Sequence, residues 1–277
     1  ATTSTGPSVE PQVTPKVEKA PEQPIDVTFA GFAFLGDYKE RDKLYPFISR
    51  LAEEKEAGWP KINKALFDAA KRIKNPSMNF KLKGGMDFKK GNQFSLAFAV
   101  STEKTRIQTF REKFFVHYEV YAQIVVFDWA EKKVIATYPI RLQYSEMLKE
   151  KPSDAHSLEI FRRIYLDPGF KSNIVNMWVA KMNTIKIKQA FGNNISIAKV
   201  KTPPETLKFV PNEFSKKESF HMQVAQLLES SLSANQNVPI VPYAEDNSIK
   251  EMRAQFVNGD ISDLKLPDAE YKITLEV

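Results

Sequence analysis

The chain has 277 residues, 42% hydrophobic and 27% charged, enough for one large folded domain or two modest ones and too apolar for disorder throughout. It contains no cysteine, which excludes disulfides, thiolate metal sites, iron–sulfur clusters and cysteine nucleophiles together. The formal net charge is +6, unevenly placed: residues 61–113 hold 13 Lys and Arg against 4 Asp and Glu, a local excess of +9, so the rest of the chain is net acidic.

Residues 1–24 carry Pro7, Pro11, Pro15, Pro21 and Pro24 among Thr, Ser, Glu and Lys, with only isolated valines as sizeable apolar groups. Such a segment buries too little surface to offset its ordering entropy and is expected to be a disordered, extended tether. The chain starts at Ala1 without a methionine, as expected of an exported protein after removal of a signal peptide. Export points to the bacterial periplasm or the cell exterior. No apolar run reaches the roughly 18–20 residues of a membrane-spanning helix.

The segment IDVTFAGFAFLG (25–36) alternates and then becomes apolar on both sides, which predicts a strand covered on both faces, central to a sheet. Leu44, Phe47, Ile48 and Leu51 recur at helical spacing, so a helix is expected there, with Pro46 in its first turn and Gly58 at its end. A second helix is predicted from Trp59 to Ile73, with Trp59, Ile62, Leu66, Ala69 and Ile73 on one face and Asn75 with Pro76 stopping it.

From residue 78 to 144 the period becomes two, predicting strands at 78–83, 93–102, 114–127 and 133–144. The last two form a long hairpin. Its first arm sets Val116, Tyr118, Val120, Ala122, Ile124 and Val126 on one face and His117, Glu119, Tyr121 and Gln123 on the other. Helices follow at 153–166 and 172–190, the second closed by Gly192.

A second unit then begins with a strand at 195–201. Ser215 and Glu218 form a capping box opening a helix that is expected to bury Phe220, Val224, Leu227, Leu228 and Leu232. A proline-flanked edge strand is predicted at 238–243, a helix near 248–257 and a final alternating strand at 270–277. The fold class is α+β, with a mixed, largely antiparallel sheet, the long hairpin and packed helices. The division is a tether at 1–24, a domain at 25–192 and a smaller strand–helix–strand unit at 193–277. The two folded units are loosely alike, and either separate or packed as one body.

No catalytic, cofactor or metal residue is assigned. His117, His156 and His221 have no second ligand at metal spacing beside them. His117 and Glu119 share a strand face, where a strand-surface ion pair is the reading preferred over a general-base arrangement. The run KGGMDFKKGN reads as a hairpin turn ahead of an anion loop, and no glycine-rich phosphate loop, nucleophile elbow or zinc-protease motif occurs.

Lys81, Lys83, Lys89, Lys90, Arg106, Arg111 and Lys113 are the candidate patch for an anionic glycan, lipid head groups or nucleic acid, set against a lysine-rich face kept for solubility. Nucleic acid is the disfavoured member. Phe94, Phe98, Phe110, Phe114 and Phe115 would have to stack bases, but Phe94, Leu96, Phe98 and Val100 alternate as core residues do.

The opening strand FAGFAFLG ahead of a helix, and DAEYKITLEV after the short strand VPIVPY, resemble the α/β domains of bacterial envelope assembly proteins. The similar families are the curli-secretion-channel lipoproteins and the N-terminal domain of TolB. The resemblance covers scattered pieces, lacks the lipidation cysteine and a glycine after the later strand, and carries over no functional residue. It implies an oligomeric component of the envelope. The expected function is therefore a non-enzymatic exported envelope protein that binds another envelope protein or self-associates. The alternatives are a module for an anionic ligand, or an enzyme whose carboxylates meet only in the fold.

Overall fold

The structure, a computed structural model, describes residues 24–36, 38–82, 94–187, 194–210, 217–236, 238–243, 251–256 and 260–277. The expected tether up to residue 23 lies outside them, as do Lys83, Lys89, Lys90, the KGGMDFKKGN turn, Gly192 and Ser215. The fold is α+β, built on a mixed seven-stranded sheet.

Strand β1 (Ile25–Leu35) is apolar on both faces because both are covered. After it, the helical pattern around Leu44 divides at Tyr45 into α1 (Arg41–Leu44) and α2 (Pro46–Ala52). Gly58 does not end a helix. It follows Ala57 in the turn between two-residue strands β2 (Lys55–Glu56) and β3 (Trp59–Pro60), and both turn residues have positive φ, 52° and 83°. That is the backbone of a type I′ hairpin. Trp59 is therefore 46% exposed on the hairpin, and α3 (Lys61–Ala70) starts after it, burying Ile62, Leu66 and Ala69.

Strand β4 (Met78–Lys81) lies parallel to the first residues of β1. Strand β5 (Phe94–Phe110) lies parallel to β1 on its other side, with a bulge at Gly31. Gly31 has φ 96°, and a Cβ there would lie 3.2 Å from Asn63 Oδ1, which accepts the Phe32 N–H at 2.9 Å.

Strands β5, β6 (Lys113–Asp128) and β7 (Lys133–Leu148) form an antiparallel meander longer than the predicted strands. One face carries Leu96, Phe98, Tyr118, Val120, Ile124 and Tyr138 into the main core under α2, α3, α4 (Asp154–Leu166) and α5 (Ile174–Met182). There Phe47 stacks on Phe161 at 4.5 Å between ring centres, and Phe29 meets Trp178 at 5.4 Å. Helix α5 stops short of the predicted 190. Asn75 Nδ2 donates to the carbonyls of Met182 (2.6 Å) and Ile185 (2.8 Å), capturing chain that has left the helix.

The predicted helix near 248–257 is instead strand β10 (Glu251–Phe256), followed by β11 (Ile261–Lys265). Met252, Ala254 and Phe256 point inward at period two, and tertiary pairing overrides the helical reading. Strand β10 pairs antiparallel with β1 at Ala33–Leu35, and β11 meets β7 at Lys133. The sheet thereby closes at this end into a six-stranded barrel around Ala33, Ala97, Ala99, Phe127, Met252 and Phe256. Small alanines facing large rings fill so narrow an interior.

The remaining strands, β8 (Ile195–Lys201), β9 (Ile240–Val241) and β12 (Tyr271–Glu276), form a three-stranded parallel sheet in the order β12–β8–β9. The single-turn helix α6 (Pro204–Leu207) and the long α7 (Lys217–Gln236) follow β8. Helix α7 does not bury the predicted row. Phe220, Val224, Leu227, Leu228 and Leu232 are half-buried, whereas His221, Gln223, Ala225, Glu229, Ser230 and Ser233 are buried. The helix is held between the small sheet and the second, polar face of the meander, so polar partners decide its orientation.

Candidate functional site

The second face of the meander follows from strand alternation. It presents Lys104 and Arg106 from β5, His117, Glu119 and Tyr121 from β6, and Arg141, Gln143 and Ser145 from β7, in adjacent cross-strand rows. Glu119 is 0% exposed. Its Oε1 accepts Arg141 Nε at 2.5 Å and Gln143 Nε2 at 3.2 Å. Arg106 Nη2 stands 3.9 Å from Oε2 and donates to Gln223 Oε1 of α7 at 2.8 Å. Tyr121 lies between cations, with Arg141 5.4 Å and Lys104 5.7 Å from its ring centre.

Glu119 is thus a buried charge between two guanidinium groups, not half of the strand-surface pair with His117 that the sequence suggests. Gln143 separates the two residues: its Nε2 contacts both Glu119 Oε1 and, at 3.1 Å, His117 Nε2. A carboxylate only accepts, so the Gln143 amide donates, and His117 Nε2 takes its second N–H. The His117 proton then sits on Nδ1, aimed at Ser145 Oγ 2.8 Å away. That tautomer donates to Ser145 and does not activate it. Desolvation by burial lowers the His117 pKa, with Arg106 and Arg141 acting the same way against Glu119.

Beside this network an open groove of about 550 Å3 runs along β7 between α5 and α7, lined by Arg141, Gln143, Lys181, Thr184, Ser231 and Asn235. Its floor includes Pro139 and Ile140. Proline has no N–H for a neighbouring strand, so Pro139 turns its backbone away from β6, and by alternation Arg141 and Gln143 do the same. Past Lys133, no strand pairs with this side of β7 among the described residues. Lys181 lies 6.0 Å from the Tyr138 ring centre and donates to the Ser233 carbonyl, and desolvation lowers its pKa to about 8.

A larger cleft of about 810 Å3 between α3 and α4 is rimmed by charge. Arg162 grips Glu54 with two hydrogen bonds of 2.6 Å, Lys64 pairs with Glu56 and Asp68, and Arg163 stands 3.9 Å from Asp167. These are mutual ion pairs between helix residues and the segments that flank them, and Arg72 donates to Asn176.

The described members of the basic set do not converge. Lys81 pairs with Asp26 at 2.5 Å beside the start of β5, and Arg106 turns inward to Gln223. Arg111 in the turn and Lys113 at the start of β6 lie at the other end of β5, 17 residues and roughly 50 Å along the strand from Lys81. Among the described residues no group of three His, Asp or Glu is arranged to hold a metal, and no helix is long and apolar enough to cross a membrane.

Sequence reasoning missed Glu103 and Glu229. Glu103, on the apolar face of β5, accepts the N–H groups of Phe47 at 2.8 Å and Ile48 at 3.1 Å, capping α2 from across the fold. Burial raises its pKa to about 7 against those two hydrogen bonds. Glu229 accepts the Tyr243 N–H at 2.5 Å, and burial raises it to about 8. Glu103 lies in the polar stretch STEKTR that follows the apolar start of β5, so the sequence around it gave no signal of burial. Glu229 sits one residue from the predicted apolar row of α7 and gave none.

No protein-family model and no curated protein matches the sequence. Among solved structures, the chain is similar to a minor lipoprotein from Acinetobacter baumannii, at 9% identity and TM-score 0.27, over 57% of this chain and 90% of that one. It is similar to a protein described as a neuraminyllactose-binding hemagglutinin homologue from Helicobacter pylori, at 8% identity and TM-score 0.31, over 62% and 94%. A third is a hypothetical protein from Chlamydia trachomatis, at 12% identity and TM-score 0.27, over 60% and 95%. All three are bacterial proteins, and likeness of this size carries none of their residues or ligands across.

Proposed function

We propose that this is a non-enzymatic binding protein of the bacterial envelope that takes up an extended segment of a protein partner along the outer edge of β7. One observation carries the reading: a strand edge without a strand partner among the described residues lies in the floor of a groove walled by two helices. An extended chain gains main-chain hydrogen bonds from such an edge and specificity from the walls. Arg141 and Gln143 offer outward N–H and C=O groups, Pro139 offers only its carbonyl, and Thr184, Ser231 and Asn235 supply polar side-chain partners. Arg141 is already anchored by Glu119, so the floor is preorganised.

A photocrosslinking residue at Ser231, in the groove wall, tests the proposal in cells of a bacterial host carrying the gene. The expected outcome is a discrete covalent adduct with an envelope protein, absent when the same group replaces Lys43 on exposed α1. Equal labelling from both positions, or none from Ser231, sinks the reading.

A further inference from the structure

We propose that two copies of this chain pair antiparallel along β12, with Thr274 of each copy at the two-fold axis, joining their three-stranded sheets into one of six strands. This pairing is independent of the groove along β7.

Strand β12 is an edge: it pairs with β8 on one side, and no strand pairs with its other side among the described residues. Its backbone orientation is fixed by two bonds to the β8 side, Tyr271 N–H to the Asn194 carbonyl (3.2 Å) and Val277 N–H to the Lys201 carbonyl (3.0 Å). The register shift in this pair skips Ala198 on β8, so β12 itself stays regular. Residues 271, 273, 275 and 277 therefore turn their backbone toward β8, and Lys272, Thr274 and Glu276 turn theirs outward.

An antiparallel partner must oppose outward residues with outward residues, which leaves few registers. Centred on Thr274, the pairing sets Lys272 opposite Glu276 of the second copy twice, and Thr274 opposite itself. On the apolar side it sets Ile273 opposite Leu275 and Tyr271 opposite Val277. Centred on Ile273, it would oppose Glu270 with Glu276, like charges. Centred on Leu275, it would set Glu276 opposite Thr274, without a cation.

Edge strands are commonly blunted by lysine. Here Lys272 repels a like-charged intruder yet meets a carboxylate in the symmetric register, so the strand is selective for its own sequence. The apolar row is open to be covered: Tyr271 is 60% exposed, Val277 is 37% exposed, and Ile273 and Leu275 are half-buried. Glu276 is 3.2 Å from Lys201 on β8, and a carboxylate can accept from Lys201 and from Lys272 of the second copy together. The antiparallel arrangement is isologous and closes at two copies.

Sedimentation equilibrium on the full chain tests this. Wild type is expected to dimerise. Lys272→Glu and Glu276→Lys each set like charges opposite one another twice and should raise the dimer dissociation constant about 30-fold. An equimolar mixture of the two variants restores both opposite-charge pairs and should recover the wild-type constant. Thr274→Cys places one thiol in a cysteine-free chain, and mild oxidation should give a disulfide-linked dimer. A monomeric wild type overturns the proposal. So does a mixture no tighter than its components when both retain wild-type circular dichroism, or a Thr274→Cys chain that stays monomeric on oxidation.

Discussion

The two faces of the β5–β7 meander are built from alternating residues of the same three strands and buried by different means. One face is dry: Phe98, Tyr118, Ile124 and Tyr138 pack under four helices, with Trp178 at the centre. The other holds Glu119, fully buried, between Arg106 and Arg141 and beneath α7. Burying apolar surface stabilises at about 25 cal/mol per Å2, whereas a buried ion pair roughly offsets its own desolvation. The difference teaches that the dry face holds the fold together, and that the polar face is not explained by stability. It positions α7 and fixes the floor of the groove.

The largest expected effects test this contrast. Phe98→Ala on the dry face should cost about 3–5 kcal/mol in denaturant unfolding, from lost transfer energy and the cavity left behind. Glu119→Ala should cost about 3 kcal/mol, the low end for breaking a buried pair because both arginines keep some solvent contact. The sharper measurement removes the network whole. Arg106→Met, Glu119→Leu and Arg141→Met together should cost less than Glu119→Ala alone, because no uncompensated charge remains. If the triple variant costs more than the single one, the polar face is a stability element after all.

Each side of the contrast also holds one strained acid. Burial raises the pKa of Glu103 on the dry face to about 7, and that of Glu229 on α7 to about 8. A carboxyl whose pKa is higher folded than unfolded binds its proton more tightly in the folded state. Its contribution is complete below about pH 4.5 and is lost as pH rises through 7 for Glu103 and through 8 for Glu229. The full loss is on the order of 3 kcal/mol for Glu103 and 5 kcal/mol for Glu229. Denaturant midpoints measured from pH 4.5 to 8.5 should fall; Glu103→Gln should flatten the decline below about pH 7 only, whereas Glu229→Gln should flatten it throughout, up to about pH 8. A midpoint that rises over the range contradicts both assignments.

Much of the dry face was legible in the sequence and little of the polar one. Val116 to Val126 alternate so regularly that strand β6 and its buried side follow from period alone, and the opening strand is central as its two-sided apolar run predicts. Strands β10 and β11 were not legible, because EMRAQF is short and mixed, and it becomes a strand only by closing the barrel against β1. The covered face of α7 was misread for a related reason. Leucines at helical spacing predict the core side, but Gln223 and Glu229 are drawn inward by Arg106 and the Tyr243 N–H, partners far away in sequence.

The smallest expected effect comes from the charged cleft, where ion pairs resemble the Glu119 network in geometry and differ in solvent. Arg162 holds both oxygens of Glu54 while Arg141 holds only Oε1 of Glu119, yet the Glu54 and Arg162 side chains are 28% and 31% exposed. The hydrogen bonds from Arg162, helped by Lys61 and opposed by desolvation, hold the Glu54 carboxyl down at about 2. A carboxyl with a depressed folded pKa stabilises above its unfolded value near 4.5, and that stabilisation is lost as pH falls toward 2, the opposite sense to Glu103 and Glu229. Water screens the pair, so Arg162→Met should cost about 1 kcal/mol at neutral pH, shrinking with added salt and vanishing near pH 2. A loss matching that of Glu119→Ala, unmoved by salt, would mean the cleft is as closed to water as the strand face beneath α7, and the distinction between the two kinds of charge would collapse.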